Sequence, residues 1–125
     1  MSHRVVIADD AAFMREMLSE ILSEADCEVV AQAGDGAEAV AAYLEHRPDV
    51  ITLDIVMPCK NGIEALREIR AQDPDACVVM CSALGQETLV TEAMEAGASE
   101  YVVKPFQPDQ VLGVLERVAA KRNRG

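Results

Sequence analysis

Short apolar runs and longer amphipathic stretches alternate five times along the chain. The runs are rich in Val, Ile and other apolar residues, which is typical of strands buried in a parallel sheet. The second run is the most polar and indicates a strand at the edge of the sheet. The five runs are Arg4–Ala8, Glu28–Ala33, Val50–Leu53, Cys77–Cys81 and Tyr101–Val103.

Apolar residues recur at helical spacing after each run, so the pattern predicts five helices that each present one stripe to a core. Gly97 follows the fourth helix and suits a left-handed residue at a helix end. In the second helix, the residues predicted to face the core are Ala37, Val40, Ala41 and Leu44. In the first helix they are Met14, Met17, Leu18, Ile21, Leu22 and Ala25.

Five strands that are each followed by a helix predict an α/β fold. Its sheet is a single, doubly wound, five-stranded parallel sheet covered by helices on both faces, with right-handed crossovers. The length of 125 residues fits one domain, so we assign residues 1–125 to a single unit. The alternation alone leaves the order of the strands open.

The composition narrows the class of partner. A net charge of −11 argues against a nucleic-acid surface, which needs clustered Lys and Arg, and leaves proteins or cations as partners. No stretch approaches the roughly twenty apolar residues that span a membrane, and no signal segment is apparent, so we expect a cytoplasmic protein and, most simply, a monomer. The four cysteines lack zinc-site spacing, and Cys59, in a loop, is the best candidate for an exposed thiol.

Polar residues stand at the carboxyl ends of four of the predicted strands. They are Asp9, Asp10, Asp54, Ser82 and Lys104. Taken singly, an aspartate or serine here could cap a helix, and the lysine could be a solvated charge. In open α/β sheets, however, ligands bind at this edge, and the five side chains converge if their strands are neighbours.

Three carboxylates that converge repel one another, so gathering them does not stabilise the fold. At a separation of 4 Å each pair repels by about 1 kcal/mol in water and about 4 kcal/mol at an effective dielectric constant of 20. Either a cation neutralises them or one stays protonated. Oxygen ligands without His or Cys favour Mg²⁺, and a lysine and a hydroxyl beside Mg²⁺ suit the binding of phosphoryl oxygens. Phosphoryl transfer to Asp54, acting as a carboxylate nucleophile, fits this set.

The sequence around these site residues resembles the receiver domains of two-component response regulators. Within that family it most closely resembles the small chemotaxis regulators. The resemblance covers the chain from end to end. It implies the flavodoxin-like sheet order 2-1-3-4-5, which makes the first and third strands neighbours, and a cis Lys104-Pro105 bond. The matching segments are Asp9–Arg15, Leu53–Pro58, Asn61-Gly62, Cys81–Gln86 and Lys104–Pro108.

The resemblance also implies a role for each site residue. Asp54 is the phosphoacceptor and, with Asp10 and the backbone carbonyl of Val56, holds Mg²⁺, while Asp9 acts largely through water. Lys104 pairs with Asp54 or its phosphate. Ser82 donates its hydroxyl to a phosphoryl oxygen. Tyr101 is the aromatic switch residue, unless it is an ordinary strand tyrosine with a solvated hydroxyl.

The implied partners are a chemotaxis histidine kinase that supplies the phosphoryl group, a flagellar motor switch protein and a phosphatase specific for chemotaxis regulators. The implied protein is a stand-alone phosphoacceptor whose output is protein binding, and not a turnover enzyme. The output surface is expected to comprise the fourth helix, the fifth strand and the fifth helix.

One departure from the family concerns hydrolysis. Family members often carry a polar residue two places after the phosphoacceptor, whereas this chain has Val56 there and Leu84 two places after Ser82. Neither side chain hydrogen-bonds a water, so we expect slow unassisted loss of phosphate.

Two alternatives remain at this point. One is a single-domain receiver in a phosphorelay, which passes phosphate to a histidine phosphotransfer protein. The other is a Mg²⁺-dependent phosphatase similar to the haloacid dehalogenase family. Val56 argues against the phosphatase, because those enzymes carry a general-acid aspartate two places after the nucleophile.

Overall fold

Five strands and five helices alternate over the part of the chain that the computed structural model describes, which is residues 3–124, with side chains to residue 120. The outer limits of the predicted domain, residues 1 and 125, lie outside it. The strands are β1 Arg4–Ala8, β2 Glu28–Ala33, β3 Val50–Asp54, β4 Val78–Ser82 and β5 Glu100–Val103. The helices are α1 Ala12–Glu24, α2 Gly36–His46, α3 Gly62–Gln72, α4 Glu87–Glu95 and α5 Pro108–Arg124.

The strands form one parallel sheet in the order β2-β1-β3-β4-β5. This order confirms both the α/β fold and the arrangement that the resemblance implies. The polar second strand lies at an edge, as its composition indicates. Strand β3 is central and buried along its whole length, with Ala8 of β1 opposite Leu53 on one side and Cys81 of β4 opposite Asp54 on the other.

Two apolar cores lie on opposite faces of the sheet, which makes the fold doubly wound. Alternate residues of each strand point to each face, because the side-chain period of a strand is two. One core joins the sheet to α2, α3 and α4, and includes Ile51, Leu53 and Met80. The other joins it to α1 and α5, and includes Ile7 and Val79.

Helix α2 is rotated relative to the prediction. The structure buries Gly36, Ala39 and Tyr43, while Ala37 and Ala41 are exposed. Val40 and Leu44 are half-buried and pack against the core as predicted, so the prediction was wrong at Ala37 and Ala41. Apolar residues surround most of this helix, and burying the large ring of Tyr43 decides which side faces the sheet.

The prediction for the buried face of α1 was partly right. Leu18 and Leu22 are buried as predicted, but Met17 is 38% exposed. A helix on the surface of a sheet buries a narrow stripe, and residues at its margin stay in contact with solvent.

Helix α3 starts directly behind strand β3. Asn61 caps it: its side chain accepts from the Glu64 N–H at 2.9 Å, while the Glu64 carboxylate accepts from the Asn61 N–H at 3.0 Å. This reciprocal pair satisfies two N–H groups that lack helical partners. At the end of α4, Gly97 has φ +107°, and the Lys104-Pro105 bond is cis, as expected for both.

The helices and the cysteines test two further predictions. Among the described residues, no helix is long and apolar enough to cross a lipid bilayer. Cys59 is exposed, as predicted, whereas Cys77 and Cys81 are buried and Cys27 is half-buried.

Candidate functional site

Three carboxylates meet at the carboxyl ends of β1 and β3. One oxygen from each of Asp9, Asp10 and Asp54 lies within 4.8 Å of the others. Asp9 and Asp54 are 4% and 6% exposed, while Asp10 faces solvent. Asp54 is the last residue of β3 rather than the first residue after it, so the strand itself fixes its direction.

Lys104 supplies the positive charge of this cluster. Its Nζ lies 2.8 Å from Asp9 Oδ2 and 3.3 Å from Asp54 Oδ2. The residue follows β5, which is separated from β3 by β4, so the long side chain reaches across one strand. Its backbone N–H donates to the carbonyl of Ser82 at 2.8 Å, which ties the lysine to the end of β4.

The electrostatics of the cluster disfavour a second full negative charge beside Asp9. Burial, and then the charge of Asp9, raise the pKa of Asp54 from 3.8 to about 6, although Lys104 opposes the change. Burial works against the charged form of Lys104, but the two carboxylates outweigh it and raise the pKa of the lysine. Three carboxylates and one ammonium leave a deficit of positive charge at the site.

The donor set fits a hard divalent cation. Mg²⁺ binds oxygen ligands at about 2.0–2.1 Å in an octahedron, so its neighbouring and opposite ligands lie roughly 3 to 4 Å apart. The carboxylate oxygens already lie within 4.8 Å of one another, so small adjustments bring them to that spacing. Among the described residues, no donor is hydrogen-bonded to the backbone carbonyl of Val56, and its side chain is 55% exposed. That carbonyl is therefore available as a further ligand.

Ser82 is the last residue of the neighbouring strand β4. Its side chain is 2% exposed, and its Oγ donates to the carbonyl of Val102 at 3.4 Å. This bond is long for a hydroxyl donor and therefore weak. After it, the loop into α4 is held by the Ala83 N–H, which donates to Gln86 Oε1 at 2.7 Å.

Tyr101 lies further out, on β5. Its side chain is 43% exposed. It lines a cavity of about 380 Å³ together with Ser82, Leu84 and Val90. The structure thus brings Asp9, Asp10, Asp54 and Lys104 into direct proximity and connects Ser82 with Tyr101 through a separate cavity.

The sequence matches one family over most of its length. Residues 5–116 match the response regulator receiver domain family. The chain belongs to this family of receiver domains. All the predicted site residues lie within the matched range.

Individual relatives of this receiver domain are regulators of chemotaxis. The chain is 51% identical to the chemotaxis protein CheY of Bacillus subtilis, over 94% of this chain and 98% of that protein. It is 50% identical to the chemotaxis protein CheY of Thermotoga maritima, over 95% of this chain and 99% of that protein. Among solved structures, the CheX-CheY-BeF3-Mg²⁺ complex from Borrelia burgdorferi matches with a TM-score of 0.87 and 38% identity, over 92% of this chain and 87% of that chain.

The receiver loop between β3 and α3 is packed too closely to accept a side chain at one position. A β-carbon on Gly62 would lie 2.1 Å from the backbone oxygen of Asp54. The Gly62 N–H also donates to the carbonyl of Ile55 at 2.8 Å. Glycine at this position lets α3 start against the end of β3.

Sequence reasoning assigned no role to Arg15, which is part of the receiver site. The residue lies in the first turns of α1, and its Nη1 donates to the backbone carbonyl of Asp9 at 2.6 Å. In the sequence it resembles any solvated arginine on an amphipathic helix. Its contact depends on the direction in which α1 leaves β1, and no local pattern reports that direction.

Proposed function

We propose that this receiver domain is a response regulator of chemotaxis that takes a phosphoryl group on Asp54 from a histidine kinase. A carboxylate oxygen of Asp54 attacks the phosphorus atom of the phosphohistidine. The phosphorus–nitrogen bond breaks, an acyl phosphate forms, and the imidazole leaves and takes up a proton. The observation that carries this proposal is the buried Asp54 carboxylate, which lies 3.3 Å from Lys104 Nζ and within 4.8 Å of two further carboxylates.

The residues around Asp54 have separate tasks in this proposal. Asp10, Asp54 and the Val56 carbonyl hold Mg²⁺, with Asp9 acting largely through water. When bound, Mg²⁺ neutralises charge on the phosphoryl oxygens. Lys104 is already paired with the Asp54 carboxylate, and its ammonium donates to a phosphoryl oxygen once the acyl phosphate has formed.

Ser82 and Tyr101 carry the change of state in this proposal. The phosphoryl group offers the Ser82 hydroxyl a charged acceptor in place of the weak bond to Val102. As Ser82 moves, the cavity it shares with Tyr101 changes shape, and the tyrosine ring turns inward. Phosphate contacts therefore shift the population of two arrangements of one surface.

The output is proposed to be phosphorylation-dependent binding to a flagellar motor switch protein through α4, β5 and α5. The similarity of about half of all residues to CheY proteins supports this pathway. The similar CheY from Borrelia burgdorferi occurs in a complex with CheX, BeF3 and Mg²⁺, which supports Mg²⁺ binding and a separate protein partner here. That partner is proposed to be a phosphatase, and the receiver itself is a phosphoacceptor rather than a turnover enzyme.

Incubation with acetyl phosphate tests the chemistry. The intact mass of the wild type is expected to rise by one phosphoryl group in the presence of Mg²⁺ but not after chelation. Asp54→Ala is expected to show no gain, while Asp75→Ala, which removes an exposed aspartate, behaves as the wild type does. A gain that persists in Asp54→Ala contradicts the proposal.

A binding measurement tests the output. A peptide from a motor switch protein is expected to bind more tightly in the presence of acetyl phosphate and Mg²⁺, and Asp54→Ala removes the difference. No phosphate-dependent binding, together with transfer of the phosphoryl group to a histidine phosphotransfer protein, favours a phosphorelay receiver instead.

A further inference from the structure

Four separate hydrogen bonds or ion pairs hold Asp9, one for each of its polar groups. Its N–H donates to the carbonyl of Ala33 at 3.0 Å, and its Oδ1 accepts from the Ala11 N–H at 2.9 Å. Its Oδ2 pairs with Lys104, and its backbone carbonyl accepts from Arg15 Nη1 at 2.6 Å. The bond from Arg15 is short and charge-assisted, which places it among the stronger contacts of this kind.

Asp10 has no such support. Among the described residues, its carboxylate makes no hydrogen bond and no ion pair, and its side chain is exposed. Its distance from Asp54 therefore depends on the backbone that carries it. The carbonyl of Asp9 and the N–H of Asp10 belong to one planar peptide group, so whatever fixes that carbonyl also fixes where Asp10 begins.

We propose that Arg15 is a positioning residue for the cation site, which holds the Asp9-Asp10 peptide so that the Asp10 carboxylate faces Asp54. The inference rests on the proposed function, because it assumes that the site binds Mg²⁺. Arg15, in α1, would then affect Mg²⁺ binding without coordinating the ion itself. A residue that orients a ligand in this way typically changes metal affinity by about 10-fold or more.

The Arg15 guanidinium lies beside the loop that follows β2. A β-carbon on Gly34 would lie 3.8 Å from Arg15 Nη1 and 3.5 Å from Glu38 Oε1. The guanidinium and the Glu38 carboxylate thus both flank the loop after β2. Glu38 Oε1 in turn accepts from the Gly34 N–H at 2.8 Å, so the loop beside the guanidinium is itself held.

Charge and positioning predict opposite effects when Arg15 is replaced. Arg15→Ala removes a positive charge next to an anionic site, which by itself strengthens the attraction for a cation. Loss of a positioning contact weakens Mg²⁺ binding instead. The direction of the change therefore separates the two explanations.

The test is calorimetric titration with Mg²⁺ of the wild type, Arg15→Ala, Arg15→Lys and Arg67→Ala. Arg67 is an exposed arginine of α3 that has no hydrogen bond or ion pair within the described residues, so its variant is the matched control for loss of charge. We expect Arg15→Ala to bind Mg²⁺ about 10-fold more weakly and Arg15→Lys, which keeps a charged donor, to recover most of the loss. Arg67→Ala is expected to retain the wild-type affinity.

A second readout separates positioning from general damage to the fold. The rate at which Arg15→Ala takes up the phosphoryl group of acetyl phosphate, with release of acetate, is expected to need more Mg²⁺ for half-saturation but to reach the wild-type maximum. Bound Mg²⁺ then supplies the order that the arginine gave. A merely structural defect lowers the maximum as well and is not corrected by Mg²⁺.

The outcomes also distinguish this inference from the proposed function. If wild type takes up phosphate on Asp54 and Arg15→Ala binds Mg²⁺ as tightly as wild type or more tightly, the inference is wrong and the function stands. If Arg15→Ala weakens Mg²⁺ binding but wild type takes no phosphate, the inference stands and the function is wrong. Wild type that binds no Mg²⁺ overturns both.

Discussion

The surroundings of Asp54 oppose its charged form. Burial and the neighbouring Asp9 raise its pKa to about 6, and Lys104 offsets only part of this. An unfolded chain has no such penalty. The ionised side chain therefore costs stability in the folded protein, which is expected where a reactive group is kept for a purpose other than folding.

Asp54→Asn is expected to stabilise the metal-free protein at neutral pH. The pKa of this group is higher in the folded chain than in the unfolded one, so the penalty is full above about pH 6 and disappears as the pH falls towards 4. After a discount for solvent screening, the gain is about 1–2 kcal/mol at neutral pH. Urea denaturation of both proteins at several pH values measures it. Asp75→Asn serves as the exposed control, and a gain that grows towards low pH contradicts the explanation.

In the proposed function, Val56 is expected to make the acyl phosphate on Asp54 long-lived. Its side chain is 55% exposed beside Asp54 and offers no group that orients a water molecule. Val56→Asn is expected to speed the loss of phosphate roughly 10-fold, the effect of one added hydrogen bond of about 1.4 kcal/mol in the transition state. Intact mass followed over time after removal of acetyl phosphate measures the rate.

The control for Val56 is the alanine variant. Val56→Ala opens similar space without adding a polar group, so its lifetime is expected to stay close to that of the wild type. Loss of phosphate from the wild type within a few seconds in Mg²⁺ buffer would contradict the expectation of a slow reaction.

At the scale of residues, the sequence was informative wherever a polar side chain followed a buried strand. Asp9, Asp54 and Lys104 stood out for this reason, and the structure brings them together. Arg15 did not stand out, because its partner is the backbone carbonyl of Asp9, and every residue has such a carbonyl whatever its side chain. Contacts of that kind are found only once the direction of α1 is known.

Among the elements, the start of α3 is packed closely against the end of β3. Gly62→Ala places a methyl group 2.1 Å from the Asp54 oxygen and 3.0 Å from the Ile55 Cα, so backbone must move. We expect a loss of about 2 kcal/mol or more in the free energy of unfolding. Denaturation in urea measures the change.

Gly113→Ala in α5 is the matched comparison. A β-carbon there meets only Arg117 Nη1, at 3.7 Å. Replacing glycine inside a helix by alanine is expected to stabilise the protein by about 0.5–1 kcal/mol. Opposite signs for the two variants support the close approach at Gly62, whereas equal effects contradict it.

The sequence predicted helix α2 but not all of the residues on its buried face. Its sequence has Ala or Val on nearly every side, so periodicity distinguishes its faces poorly. Tyr43 is fully buried, and its hydroxyl donates to Asp73 Oδ2 at 2.7 Å, 30 residues away in sequence. That distant partner lets a polar aromatic side chain lie inside, and a local pattern contains no information about it.

Over the whole molecule, negative charge is in excess, with a net value of −11. Added MgCl2 is expected to stabilise the protein in two ways: by binding at the carboxylate cluster and by screening general repulsion. A Mg²⁺ concentration tenfold above the dissociation constant adds about 1.4 kcal/mol, which raises the melting temperature by about 5 °C.

Sodium chloride at the same ionic strength separates the two contributions. It screens charge but does not replace Mg²⁺ at an oxygen site, so only the smaller, general part of the rise is expected. Asp10→Asn is expected to reduce the response to MgCl2 to that of sodium chloride. Equal responses of the wild type to both salts in thermal melts contradict a specific site.

Periodicity predicted the class of the fold, but it did not predict the order of the strands in the sheet. Five alternating strands and helices gave the class because each apolar run matches a strand, with β3 and β4 buried along their length and β2 and β5 partly exposed at the edges. Periodicity does not report which strands are neighbours, since pairing joins residues distant in sequence, such as Val5 with Val50. The order came from the resemblance to receiver domains, and it makes β1 and β3 neighbours, as the converging carboxylates require.

The four thiols differ in a way that makes the protein convenient to label. Cys77 and Cys81 are enclosed by the core, and burial raises the pKa of both the Cys81 and the half-buried Cys27 thiols. Cys59 alone among them is exposed, in the loop that follows Asp54. A maleimide dye added briefly near neutral pH attaches mainly there, because exposed thiols react first. Native protein thus carries its own attachment point for a fluorescent reporter, five residues from Asp54.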